Sequence, residues 1–357
     1  MKTLRLRVDI DKLGEPESER GLDTAASVLR RGGLVALPTE TVYGLGANAL
    51  DAVAVAGIFA AKERPGWDPL IVHVADEAML AQVVSEIPER ARKLMRAFWP
   101  GPLTLLLPRS GAVPDVVTAG RRLVGVRMPA HAVALEVIRR AGVPVAAPSA
   151  NRFGHTSPTT AEHVLDDLDG RIDAVVDAGP TSFGVESTVV DATTVPMMIY
   201  RPGAVTVEQI RAVAGAAEVY AERAELAREP RDAMPSPGVG LRHYAPKARL
   251  ILVEDGVGSG RLGDLALDYL GERVGLMLPT GWAGLSGAGY EVYDWGRWPR
   301  AGEEPEELAQ RLFGGLRWLD ARGCAVILCP VPPGEGIGAA IRDRLRKAAW
   351  SGDDQQH

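Results

Sequence analysis

Cysteine is almost missing from the chain. Cys324 and Cys329 are the two it has, on either side of the apolar run Ala325-Val326-Ile327-Leu328. That excludes a disulfide framework and a cysteine-based zinc site, and it suits two buried free thiols in a reducing compartment. Long apolar runs are also missing. No uninterrupted stretch approaches the ~20 residues of a membrane helix. The opening segment Met1–Ile10 alternates like a strand and lacks the apolar centre of a signal peptide. The expectation is a soluble, cytoplasmic protein with no membrane partner. Positive charge is not in excess: 40 Lys and Arg stand against 46 Asp and Glu, for a formal net charge of −6. A chain-wide footprint for nucleic acid is thereby excluded, and only a local basic patch stays open. Familiar chemistry is absent too. No Gly-Lys pair occurs, which excludes a Walker A loop, and neither a His-Glu-x-x-His zinc pattern nor a Gly-x-Ser-x-Gly elbow is present.

What is there reads as two α/β domains. The 357 residues, 46% hydrophobic and 24% charged, suffice for two cores. From about 20 to 210, helical and strand patterns alternate. Asp23 is expected to cap a short helix over Thr24–Arg31 that stops at Gly32-Gly33, followed by a strand over Leu34–Leu37. Asp51 is expected to open a helix through Ala61. Further strands are expected at Leu70–Val74, Val143–Ala147, Ala174–Val176, Ser187–Asp191 and Met197–Tyr200. A charged, then proline-rich segment over 212–247 reads as a linker. A second α/β pattern follows, with strands at Arg249–Glu254, Val274–Pro279 and Ala325–Cys329 and helices at Asp264–Leu270, Glu306–Leu319 and Ile341–Ala349. Its Gly258-Ser259-Gly260-Arg261-Leu262-Gly263 matches a dinucleotide fingerprint, but no acidic residue ends the next strand to hold a ribose.

Three polar segments sit at strand ends, where open α/β sheets bind ligands. In Pro38-Thr39-Glu40-Thr41-Val42-Tyr43-Gly44-Leu45-Gly46, two hydroxyls and a carboxylate precede glycines that allow close backbone approach. A capped turn explains the same residues. In Lys62-Glu63-Arg64-Pro65-Gly66-Trp67-Asp68-Pro69, two cations follow a helix, either complementing its dipole or gripping a phosphate. Arg64 falls outside the apolar stripes. His73 lies in the apolar strand that follows, as a core residue or a ligand. In Pro148-Ser149-Ala150-Asn151, a strand of small residues runs into a hydroxyl and an amide able to bind phosphate or sugar without added charge. Arg127, Ser187 and Arg201 each end or begin an apolar run, and a charge at that depth needs a partner.

These segments, with the stretches FWPGPLTLLL, GVRMP, SPTTAEHV, GVESTVVD and YRPG, occur in one order over about residues 20 to 210. Together they resemble the YrdC-type threonylcarbamoyl-AMP synthase family. SPGVGLRHYAPKA and GIGAAIRDRLRKAA resemble the linker and C-terminal domain of its two-domain, Sua-type form. The resemblance implies a YrdC-like twisted mixed sheet with helices and a concave active site over 1–211. It further implies a linker over 212–247 that closes on that site, a smaller Rossmann-like α/β domain over 248–350, and a disordered tail over 351–357. It implies formation of L-threonylcarbamoyladenylate and pyrophosphate from L-threonine, bicarbonate or CO2, and ATP with Mg2+. The product would pass to transfer proteins that modify tRNA, with at most a weak tRNA contact. Carried over by motif, Lys62, Arg64, Asp68, Ser149, Asn151, Ser157, Arg201 and Tyr244 would bind ATP, Lys62 and Arg64 acting in catalysis. Thr41, His73, Arg127, Ala147 and Ser187 would bind L-threonine, and no metal ligand is assigned. Two departures stand out: Asp68 where the family commonly has Asn, and Asn151-Arg152-Phe153-Gly154 where it has Asn-x-Ser-Gly. A competing reading is an RNA-binding surface rimmed by Arg64, Arg121, Arg122, Arg152 and Arg171.

Overall fold

The computed structural model describes residues 2–220, 234, 236, 243–254, 259–269, 271–282 and 289–350. Most of the segment read as a linker, Gly258 of the glycine fingerprint and the 351–357 tail lie outside these residues. The chain forms two compact units. The first comprises Met1–Phe153, Ser157–Ser182 and Glu186–Gly240, and the second Gly154–Thr156, Phe183–Val185 and Leu241–His357, as far as each is described.

The first unit is built on a mixed sheet of β1 (Leu4–Arg7), β2 (Val35–Leu37), β3 (Gly44–Asn48), β4 (Ile71–His73), β5 (Leu103–Pro108), β6 (Leu123–Arg127), β7 (Val145–Ala146), β8 (Ala174–Asp177), β9 (Thr188–Asp191), β10 (Met197–Arg201) and β11 (Ala217–Val219). Its order is β1-β8-β2-β3-β7-β4-β6-β5-β9-β10-β11. Helix α1 (Pro16–Arg30) corrects the sequence reading. It begins eight residues before the expected Thr24, with Pro16 in its first turn and Glu17 and Glu19 beside the positive helix end, so Asp23 lies in mid-helix and caps nothing. Helix α2 (Ala52–Lys62) starts as expected: the Asp51 carboxylate accepts from Val53 N at 2.9 Å and Ala54 N at 3.2 Å. Glu63 ends it in the left-handed region at φ 55°. Lys62 falls four residues after Ile58 on the buried stripe, which carries its ammonium inward.

The central strands sort their residues by face. Val72 of β4, Val126 of β6, Leu105 of β5 and Val190 of β9 enter the main core. Their neighbours Ile71, Leu106 and Val189 form a small separate cluster on the opposite face. Residues paired across neighbouring strands share a face. The registers His73↔Arg127 and Thr104↔Val189 therefore place His73, Arg127 and Thr104 on the sparsely covered side. The glycines of the first polar segment serve the sheet itself. A Cβ on Gly46 would meet Val145 Cγ1 at 2.8 Å, so this glycine lets β3 and β7 pack.

The second unit is a parallel sheet in the order β12-β15-β13-β14, made of β12 (Arg249–Val253), β13 (Val274–Pro279), β14 (Glu291–Gly296) and β15 (Val326–Pro330). Helices Ser259–Leu267, Glu306–Ala321 and Ile337–Ala349 connect or follow its strands. Close helix–sheet packing requires Gly315, where a Cβ would meet Met277 Sδ at 2.6 Å. Cys324 and Cys329 are free and buried, and burial pushes both thiols up. Among the described residues, no helix is long and apolar enough to cross a membrane.

Candidate functional site

Arg127 ends β6 with its side chain 5% exposed, and protein atoms hold it on three sides. Nε donates to Gly101 O at 3.2 Å, Nη1 donates to Thr41 Oγ1 at 2.9 Å, and Nη2 lies 2.6 Å from Glu40 Oε1. Thr41 is set by the turn after β2, where the Thr39 hydroxyl donates to Val42 O at 2.6 Å and meets Thr41 Oγ1 at 2.9 Å. Burial alone would raise the Glu40 carboxyl, but Arg127 beside it holds the group below the usual carboxylate range. Next to Arg127 on the sheet, burial and the guanidinium charge push His73 down to about 3, so its ring is neutral. His73 Nδ1 is buried with no hydrogen-bond partner. The structure thus brings Thr41, His73 and Arg127 together and adds Glu40, which sequence reasoning left unassigned although it directly precedes Thr41.

The second group gathers at the end of α2. Lys62 Nζ donates to Ser149 O at 2.6 Å and Asn151 O at 2.5 Å. Burial, with Arg64 close by, drives its ammonium well below its ordinary range. The strand-like segment around Ser149 is laced on both sides: Ala147 N donates to Ile71 O at 2.8 Å, Leu45 N to Pro148 O at 2.7 Å, and Ala150 N to Tyr43 O at 2.8 Å. The three polar segments therefore form one neighbourhood.

Arg64 departs from expectation. It is buried, with Nη2 2.9 Å from Asp68 Oδ2, and it donates to Asp68 O at 3.2 Å and Pro69 O at 2.8 Å. The left-handed turn at Glu63 redirects the chain, so helical periodicity no longer predicts which way residue 64 points. Burial pushes the Asp68 carboxyl up, while Arg64, Lys62 and Arg201 pull it back. Both departures from the family pattern thus meet Arg64: Asp68 as its ion partner, and Phe153 as an aromatic wall whose ring centre lies 6.0 Å from the guanidinium carbon. The expected basic rim does not assemble as written, since Arg64 is buried and Arg152 and Arg171 both pair with Glu63 at 2.7 Å.

A third group joins β9 and β10. The buried Ser157 hydroxyl donates to Glu186 Oε1 at 2.5 Å. Ser187 Oγ meets Thr104 Oγ1 at 2.8 Å and accepts from Arg201 Nη2 at 3.1 Å, while Arg201 Nε donates to Ser187 O at 3.1 Å. Gly203 makes this approach possible, because a Cβ there would lie 2.3 Å from Thr188 N and 2.6 Å from Glu186 O. Glu186 and Thr104 were legible only as members of the GVEST and GPLTLLL stretches. Tyr244 belongs to the second unit, at φ 64°, with its ring stacked on Phe313 at 5.6 Å and 5.2 Å from the Arg344 guanidinium carbon. Among the described residues, no cluster of His, Cys, Asp and Glu is able by itself to hold a metal ion.

Comparisons with known proteins bear on the whole chain. Residues 27–203 match the family model described as telomere recombination, and residues 205–350 match that of the threonylcarbamoyl-AMP synthase C-terminal domain. The chain is 45% identical over 354 residues to the threonylcarbamoyl-AMP synthase of Bacillus subtilis, covering 98% of both chains. It is 44% identical over 333 residues to that of Pyrococcus abyssi, covering 91% of this chain and 93% of the relative. Its structure superposes on the crystal structure of P. abyssi Sua5 complexed with L-threonine with a TM-score of 0.86, at 42% identity, over 97% of this chain and 98% of the other. With both halves matched and the fold shared along nearly its full length, the chain belongs to the threonylcarbamoyl-AMP synthases, enzymes that make an adenylate.

Proposed function

We propose that the first unit joins L-threonine, bicarbonate or CO2, and ATP into L-threonylcarbamoyladenylate, releasing pyrophosphate. The observation that carries this reading is the adjacency of two differently built cationic sites: Arg127 with Thr41 and His73, and Lys62 with Arg64, Ser149 and Asn151. Arg127 would take the threonine carboxylate, with Ser187 as a further hydroxyl and the neutral His73 ring nearby. Ala147 is assigned to the same pocket on its motif alone. Lys62 and Arg64 bind the phosphates and stabilise charge gathering on the leaving pyrophosphate, while Ser149, Asn151, Ser157 and Arg201 complete the ATP contacts. Tyr244 is assigned to the nucleotide as well, on its motif alone.

In balance, the threonine amine adds to CO2 to give a carbamate with loss of one proton. The carbamate oxygen then attacks the α-phosphorus, the bond to the β-phosphate bridging oxygen breaks, and pyrophosphate leaves. The carbamate is short-lived, so holding it against the α-phosphate out of water replaces an improbable encounter and limits its decay. Mg2+ fits only as the nucleotide's own counter-ion. Asp68 Oδ1, buried with no hydrogen-bond partner, is the one carboxylate oxygen of the Lys62–Arg64 group left to meet it. When bound, the ion would neutralise phosphate charge. We further propose that the adenylate passes to transfer proteins for threonylcarbamoyladenosine modification of tRNA, in the cytoplasm, where ATP and tRNA are both at hand.

The direct test is pyrophosphate release with product mass. Release should require L-threonine and bicarbonate together and yield the threonylcarbamoyl-adenylate mass. Release independent of threonine contradicts the reading. Arg64→Ala should lower turnover by about 100-fold or more. It should also cost about 3–5 kcal/mol of stability, because it strands Asp68 in a buried site. Arg64→Ala with Asp68→Asn should regain most of the stability and none of the turnover, which denaturant unfolding and initial rates would separate. His73 titrates at about 3 when folded against 6.5 in its ordinary state, so the unfolded chain binds more protons between those values. Stability should therefore fall as pH drops through that window, by at most about 1.4 kcal/mol per pH unit from this group. Glu40, held below its ordinary range, adds loss in the same direction further down. His73→Gln should flatten the upper part of the curve, and equal slopes in both proteins would contradict the assignment.

A further inference from the structure

Buried polar groups gather around the Arg127–Glu40 pair, among them the His73 and His131 rings, whose Nδ1 atoms have no hydrogen-bond partner. Glu40 and Arg127 form an ion pair at 2.6 Å with side chains 7% and 5% exposed, so the pair is out of water and carries no net charge. Two imidazoles lie within electrostatic reach of the same carboxylate, His73 from β4 and His131 just before the helix Ala132–Ala141. Burial pushes both below their ordinary range. Thr41 contributes a neutral hydroxyl.

We propose that Glu40 is a specificity-determining residue of this pocket: by cancelling the charge of Arg127, it makes the pocket select a zwitterionic amino acid over a free anion. The proposal rests on the reading of Arg127 as the seat of the amino-acid carboxylate. Arg127 and Glu40 sum to zero, and a zwitterion keeps the buried total at zero. A hydroxy-acid anion leaves one net negative charge buried, and phosphate leaves one to two, each at a heavy desolvation cost. The Glu40 carboxylate also offers the ligand's ammonium an opposite charge, which a free anion cannot use. In an enzyme that must bind a triphosphate nearby, this pairing disfavours phosphate at Arg127.

The test is calorimetric binding to the full chain of L-threonine and of 2,3-dihydroxybutanoate, in which a hydroxyl replaces the ammonium. The native protein should prefer threonine strongly. Glu40→Gln should reduce the ratio of the two affinities by about tenfold or more, and Glu40→Asp should hold it within about threefold. A role in shape alone would weaken both ligands together, so an unchanged ratio in Glu40→Gln overturns the proposal. If Glu40→Gln does not fold, competition in the native protein decides. Inorganic phosphate should fail to displace threonine, and displacement would overturn the charge argument. Failure of the native protein to bind threonine at all would instead sink the reading of Arg127.

Discussion

Removal of cations from water is the constraint on which the site depends. Lys62, Arg64, Arg127 and Arg201 are each less than 9% exposed. A buried charge persists only where neighbouring groups replace its hydration, and the protein does this in different ways. Arg64 and Arg127 face carboxylates at 2.9 and 2.6 Å, which makes neutral pairs. Lys62 is met by the carbonyls of Ser149 and Asn151, whose dipoles solvate a charge without cancelling it. Arg201 donates to the carbonyl and hydroxyl of Ser187. The charge of Arg127 is thus balanced by a carboxylate, whereas that of Lys62 is met by dipoles.

The backbone explains how so many polar groups are held in register. His73 and Arg127 are partners in adjacent parallel strands, so their relation is set by strand pairing rather than by flexible loops. Segment 147–151 runs between Tyr43–Leu45 and Ile71 and takes hydrogen bonds from both sides. Lys62 reaches it because Asp51 fixes where α2 begins and the helical repeat from Ile58 turns residue 62 inward. Backbone pairing of this kind sets side chains in a defined relation, as catalysis by positioning and preorganised charge requires.

Much of this was legible in the sequence, for identifiable reasons. The α/β class followed from alternating helical and strand patterns, and strand positions such as 274–279 followed from apolar runs bounded by turn residues. Candidate residues followed from polar segments at strand ends and from motif order. What escaped was governed by tertiary partners. Asp23 resembles a helix cap locally, yet Pro16 and the acidic first turn start α1 earlier. Arg64 was expected outside the packed stripes, but a left-handed residue at 63 and a buried acid at 68 draw it inside. Glu40 passed for part of a turn, because nothing local reveals that Arg127, 87 residues later, lies 2.6 Å away. Phe153 read as the loss of a hydroxyl, whereas its ring packs against Trp67 and Arg64.

In the proposed reaction, two neighbouring cationic sites divide the labour, Arg127 taking the amino acid and Lys62 with Arg64 the phosphates. The most direct measurement is a crystal structure of the full chain with L-threonine and a non-hydrolysable ATP analogue bound together. The predicted result has the amino-acid carboxylate on Arg127 and Thr41 and the phosphate chain on Lys62 and Arg64. Phosphate on Arg127, or the amino acid on Lys62, would contradict it.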